Sequence, residues 1–210
     1  DLWRLRITAP GALSLNLGFS NYRLPKGARL TIYPADLADS TPPESIRIFT
    51  SGDNGTHGQL WTPVVLADDI IVELVMPRES RSDFDLRLTS INLGYRYFGE
   101  DLTTSADKSG SCNIDVVCPE GDDWREEIAT VGVFTIGGVW KCTGFMINNT
   151  AEDGRALFMT ADHCGLSPSN SSSLVVYWNF ESPTCGQQGG GSLAQAMTGA
   201  TFLSSSSVSD

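Results

Sequence analysis

The sequence predicts an all-β chain whose first half is an antiparallel β-sandwich. Three observations predict it. Apolar and polar residues alternate in short runs through the first hundred residues. Clusters of Pro, Gly, Ser and Asp break those runs. The 210 residues, 40% of them hydrophobic, suffice for one large domain or two of ordinary size.

The elements follow in order. In "LWRLRIT", Trp3, Leu5 and Ile7 share one face, while Arg4, Arg6 and Thr8 share the other. "ALSLNLGFS" sets Leu13, Leu15, Leu17 and Phe19 inward and Ser14, Asn16 and Ser20 outward, the period of a half-buried strand. "RLTIY", "DIIVELVMP", "DFDLRLTSI" and "NLGYRYFG" continue the pattern, separated by "PKG", "STPPES" and "SGDNGTHG". Six or seven short strands with such turns suggest a sandwich. A polar segment, "GEDLTTSADKSGSC" (99–112), then reads as an exposed linker between a unit at 1–104 and a second at 105–210. In the second unit, Asp123 is a candidate helix cap before an acidic turn. "VGVFTI" and "VWKCTGFMI" flank Gly137-Gly138, which predicts a hairpin. "RALFMTA" and "SLVVYWNF" add two strands, and the Gly/Ser-rich tail from 186 is a long loop or a strand with flexible flanks.

Composition narrows the function. Lys and Arg total 14 against 25 Asp and Glu, a formal charge of -11, which argues against a nucleic-acid partner because phosphate contact needs a basic footprint. No apolar run approaches the roughly 20 residues that span a bilayer, so no membrane association is expected. The opening "DLWRLRITAP" lacks the basic and apolar regions of a signal peptide, as a mature or trimmed chain would. The acidic run Glu120, Asp122, Asp123, Glu126 and Glu127 matches no calcium loop and reads as a solvated face. The sequons at Asn54, Asn148 and Asn170 read as turns. No residue set calls for a cofactor or a metal.

All five cysteines lie in the second half, at 112, 118, 142, 164 and 185. None forms a CxxC pair, so a zinc ribbon is not expected, and two disulfides with one cysteine left over imply an oxidising compartment. The chain has two histidines, and "LFMTADHCG" (157–165) presses one of them, His163, against Cys164 at the end of an apolar run. A hydrolase needs a rigidly held base that titrates near neutrality, and histidine is that residue. A strand delivering His163 to its end, with Cys164 bonded to a neighbouring strand, would hold it. Cys142, on "VWKCTGF", is the best partner. Closing that loop contributes roughly 3 kcal/mol by the chain-entropy estimate. His57, in "NGTHGQL", has no motif around it and reads as a surface turn residue.

"TADHC" resembles the T-A-x-H-C signature of chymotrypsin-like serine peptidases, in which that histidine is the general base. The stretch from "SGSCNIDVVCPEGDDWREEIATVGVFTIGGVWKCTGFMINNT" through "LFMTADHCG" to "VVYWNFESPTC" resembles the start of bacterial lysyl endopeptidases over residues 109–210, including all five cysteine positions. The resemblance implies the first β-barrel of a chymotrypsin-like two-barrel fold, with the second barrel absent from this chain. It implies Cys142–Cys164 and Cys118–Cys185 bridges. Cys112 would pair within the remaining C-terminal part of the peptidase domain, the expected partner. The terminal "SVSD" aligns Asp210 with the aspartate that orients the catalytic histidine. No G-x-S-G nucleophile motif occurs, so the serine is expected outside this chain and the fragment alone is expected to be inactive. Asp162 stands where the family has another residue and is expected to be solvated.

The implied function is that of a secreted bacterial serine endopeptidase precursor (a zymogen) acting on protein or peptide substrates after lysine. Residues 1–104 occupy the propeptide position: a folding assistant, an inhibitor covering the cleft, or a retained adhesion module. Lys108, in the linker, is a candidate processing site. The alternatives are a secreted adhesion or binding protein with a degenerate peptidase domain, and a carbohydrate-binding role for the sandwich.

Overall fold

The computed structural model describes residues 1–38, 41–95, 114–187 and 190–208. Residues 1–95 form two antiparallel sheets. One contains β1 (Leu2–Thr8), β6 (Asp69–Val75), β3 (Arg29–Pro34) and β4 (Arg47–Thr50), hydrogen-bonded in that order. The other contains β5 (Leu60–Trp61), β2 (Ser14–Arg23) and β7 (Asp85–Gly94). Alternation decides which side chains meet between them: Leu15, Leu17 and Phe19 of β2 pack against Leu30 and Ile32 of β3 and Ile70, Val72 and Leu74 of β6. Each such buried side chain contributes about 1.5–3 kcal/mol of transfer free energy. Trp3 and Leu5 pair with Leu74 and Val72, so they point to the same interior, yet they stay exposed because β1 is an edge strand.

One expectation for β2 is corrected. Ser14 and Asn16 were to face solvent, but both are only 4% exposed. The Asn16 amide donates to the Gly138 carbonyl at 3.1 Å, and its oxygen accepts from Asn92 at 2.7 Å. The outer face of β2 is covered by the second unit, so its polar residues are buried and hydrogen-bonded.

That second unit is a five-stranded antiparallel half-barrel sheet in the order β10 (Leu157–Met159), β9 (Val139–Ile147), β8 (Val131–Ile136), β11 (Leu174–Trp178), β12 (Ala196–Thr198). Gly137 and Gly138, at φ 60° and 80°, make the β8–β9 turn, because two consecutive left-handed residues match the twist of a two-residue hairpin. Before β8 the chain forms a 3₁₀ segment (Pro119–Trp124) running into the single-turn α1 (Arg125–Ile128), whose N-cap is Trp124. Asp123 therefore does not cap it. Arg125 closes this turn instead, bonding Asp122 and the Val116 and Cys118 carbonyls. Among the described residues no helix is long and apolar enough to cross a membrane.

The two faces of the half-barrel sheet have different neighbours. Phe134, Ile136, Leu174 and Val176 point inward, with Cys142, Cys164, Phe158 and Trp178 packed on them. Phe158 meets Phe134 and Trp178 edge-on at 5.7 and 5.8 Å between centroids. Val175 and Tyr177 point the other way, into a cluster with Val64, Leu193 and Trp61. The sandwich thus covers the outer face. Tyr177 is fully buried, its hydroxyl accepts from the Val64 N–H at 3.0 Å, and burial pushes its pKa up to about 12. Tyr177→Phe leaves that N–H without an acceptor. We expect it to cost about 1–3 kcal/mol in urea unfolding.

The linker at 99–112 and the unit boundary at 104 lie outside the described residues.

Candidate active site

His163 does not sit on a strand end, as the sequence suggested. β10 stops at Met159, and Thr160 turns its hydroxyl onto the Thr143 carbonyl of β9 at 2.7 Å. The chain then makes one 3₁₀ turn, Asp162–Cys164, which carries His163. Cys164 N–H donates to the Ala161 carbonyl and Gly165 N–H to the Asp162 carbonyl. Gly165, at φ 77°, ends the turn in the left-handed region that a side chain disfavours. Asn170 ties down the following loop, accepting from Ser167 N–H and donating to the Gly165 carbonyl. This side-chain bonding is what its sequon reading as a turn amounts to. Asn54 bonds both main-chain groups of Leu24 in the same way.

A disulfide joins Cys164 to Cys142 with the Cα atoms 5.9 Å apart. It links the 3₁₀ turn to β9, and Cys164 is buried in the inward cluster while His163 is exposed. A His163 ring nitrogen and the two sulfurs lie within 4.8 Å of one another. Both sulfurs are committed to the disulfide, so they are not offered as metal ligands. The second disulfide, Cys118–Cys185, has its Cα atoms 4.7 Å apart and fastens the segment before α1 to the loop after β11. Asp162 is exposed. It flanks His163 on a 3₁₀ turn, not across a strand, so its exposure follows from the turn rather than from pleat alternation.

Beside this turn runs a groove of about 1010 Å³, lined by Phe158, Thr160, Ala161 and Asp162 on one side and by Met197 and Gly199–Ser206 on the other. It lies between β10 and β12, the two edge strands of the sheet. Gly199 and Ala200 are held by main-chain bonds to Leu174 and Ser171. The chain leading to Asp210 therefore passes along the groove that the His163 turn borders. Asp210, Lys108 and Cys112 themselves lie outside the described residues.

His57 does not itself line this groove. Its turn is half-buried at the contact between the two units, where its Nδ1 accepts from Gln59 N–H at 3.1 Å and a Cβ on Gly199 would meet its ring. Burial lowers its pKa below the ordinary value. The unfolded chain therefore binds the proton at higher pH than the folded one, and the contribution of neutral His57 is fully present above about pH 6.5 and is lost as pH falls below it. His57→Asn keeps a δ acceptor without a titrating ring. We expect the variant to lose part of the fall in stability between neutral and mildly acidic pH, read from urea midpoints across that range.

The geometry is one braced, exposed histidine at the rim of an apolar groove. The family model described as "Lysyl endopeptidase, C-terminal domain" matches residues 106–210. A curated lysyl endopeptidase of Pseudomonas aeruginosa is 33% identical over 201 residues, covering 87% of this chain. The chain belongs to the lysyl endopeptidase family. It spans about two-fifths of the length of that relative, 41%. Family membership makes the His163 turn, at the T-A-x-H-C position, the first place to look for chemistry. The match to that relative also extends beyond the residues that the family model covers.

Sequence reasoning missed Asn16, Arg47 and Tyr177 as contacts between the two units. No local pattern marks them, because each is defined by a partner 113 to 146 positions away.

Proposed function

We propose that this chain is part of the precursor of a secreted bacterial serine endopeptidase that cleaves after lysine. The observation that carries the reading is the exposed imidazole on a turn clamped to β9 by the Cys142–Cys164 disulfide, beside an apolar groove. In the complete protein a serine supplied by another part of the polypeptide attacks the scissile carbonyl. His163 takes its proton and returns it to the leaving amine. Asp210 accepts the other ring N–H, fixing the tautomer and stabilising the imidazolium. The approach of Gly199–Ser206 to the turn supports that role. No cofactor is needed for this acyl transfer.

Residues 1–104 act as the propeptide and 105–210 as the first part of the peptidase domain. Scission after Lys108 separates them, and Cys112 pairs with a cysteine of the remaining peptidase domain. The disulfides suit an oxidising, extracellular setting. The test is to assay the complete secreted protein on matched peptides with Lys, Arg or Glu before the cleaved bond, and to sequence its N-terminus. Cleavage after Lys and a species beginning at Ser109 are expected. A complete protein that cleaves none of the peptides, with no G-x-S-G serine, would leave the adhesion reading standing.

A further inference from the structure

The sandwich sits on the opposite face of the half-barrel sheet from His163. Its contacts are with Val175, Tyr177 and their neighbours, whereas the disulfide and the imidazole belong to the inward face. Every residue lining the groove beside His163 lies between 129 and 206, so no described residue of the sandwich lines it. The contact is also specific. Arg47, 8% exposed, reaches out of β4 and donates to the Val64 carbonyl of its own unit and the Leu193 carbonyl of the other, both at 3.0 Å. Ser172 donates to Gln59 and Asn16 to Gly138 across the same contact. Among the described residues no ion pair links the units. Residues 1–111 hold no cysteine, so no disulfide can tie the sandwich to the rest.

We infer that residues 1–95 form a detachable clamp on the back of the His163-bearing sheet: they stay bound noncovalently after the connecting segment is cut, and they leave His163 open to solvent. Buried apolar surface and satisfied main-chain groups hold the clamp, with Arg47 as its anchor. The bound sandwich therefore shapes and supports the sheet rather than occluding the histidine. With no ion pair between the units among the described residues, the association is weakly dependent on salt. This inference goes beyond the catalytic proposal and does not depend on it, because its test reads contact and accessibility rather than cleavage.

The two histidines are internal reporters, one under the clamp and one on the open face. A recognition sequence for a site-specific protease is inserted between residues 100 and 110, the folded chain is cut, and the pieces are run on a sizing column at low and high salt. Cut and uncut protein are then treated with diethyl pyrocarbonate at neutral pH, and each histidine is followed by peptide mass spectrometry. The pieces should co-elute at both salt concentrations. His163 should react readily in both samples, and His57 at least about tenfold more slowly, since it reacts only through opening of the contact. Arg47→Ala should release the pieces and raise His57 reactivity towards that of His163. If that variant does not fold, Tyr177→Phe is read in its place for weakened co-elution. Pieces that separate, a His57 that reacts as fast as His163 in the cut folded protein, or a His163 shielded in the uncut chain would each overturn the clamp. Variants that bind as tightly as the parent would overturn the anchoring by Arg47 and Tyr177.

Discussion

Replacing His163 by alanine in the complete protein should lower kcat/KM for peptide cleavage by about 10⁴-fold or more while leaving the fold intact. Both halves of that expectation follow from position. The ring is exposed, so its loss removes little packing. The other histidine of this chain does not stand in for the proton transfer proposed for it: His57 is held in a turn, accepting from the Gln59 N–H with its ring against Gly199. Thermal unfolding of the variant should match the parent closely. A large drop in stability with modest loss of rate would instead mark His163 as a structural group.

The second large effect separates the two disulfides. Cys118–Cys185 closes a loop with a sequence separation of 67, and Cys142–Cys164 one of 22. Chain entropy then predicts stabilisation of about 4 kcal/mol for the first and about 3 kcal/mol for the second, before any strain. Activity should follow the opposite order. The shorter loop contains the 3₁₀ turn and its histidine, and a small displacement of a general base costs a large factor in rate. The longer loop fastens segments on which no proposed catalytic group sits. Paired Cys→Ala variants of the complete protein should therefore show the larger loss of stability at 118/185 and the larger loss of kcat at 142/164. Unfolding midpoints and single-turnover rates read the two separately.

Much of this was legible in the residues. Alternation located the strands of the sandwich, since one residue of slip would carry a whole apolar face into water. Gly137-Gly138 announced the hairpin because few other residues accept two left-handed conformations in a row. The crowding of His163 against Cys164 pointed to the candidate site, and the disulfide that braces its turn is formed. What escaped the sequence was set by contacts between distant segments. Ser14 and Asn16 follow a solvent-facing pattern yet are buried, Asn16 because the β8–β9 turn rests on it. Arg47 looks like a surface cation and is instead a buried bridge between units. The exchange of a strand end for a 3₁₀ turn at His163 depends on the Thr160 hydroxyl and Gly165, which no period reveals. β12 hides in a Gly/Ser-rich tail and forms because Tyr177 offers it a partner in Ala196.

The account stands most directly on His163 as the base that activates a serine. A fluorophosphonate reagent reacts with a serine only when such a base draws off its proton. Incubated with the complete protein, it should label one serine stoichiometrically, and the His163→Ala protein, folded and with both disulfides formed, should be labelled slower by orders of magnitude. Equal labelling rates in parent and variant would contradict the account.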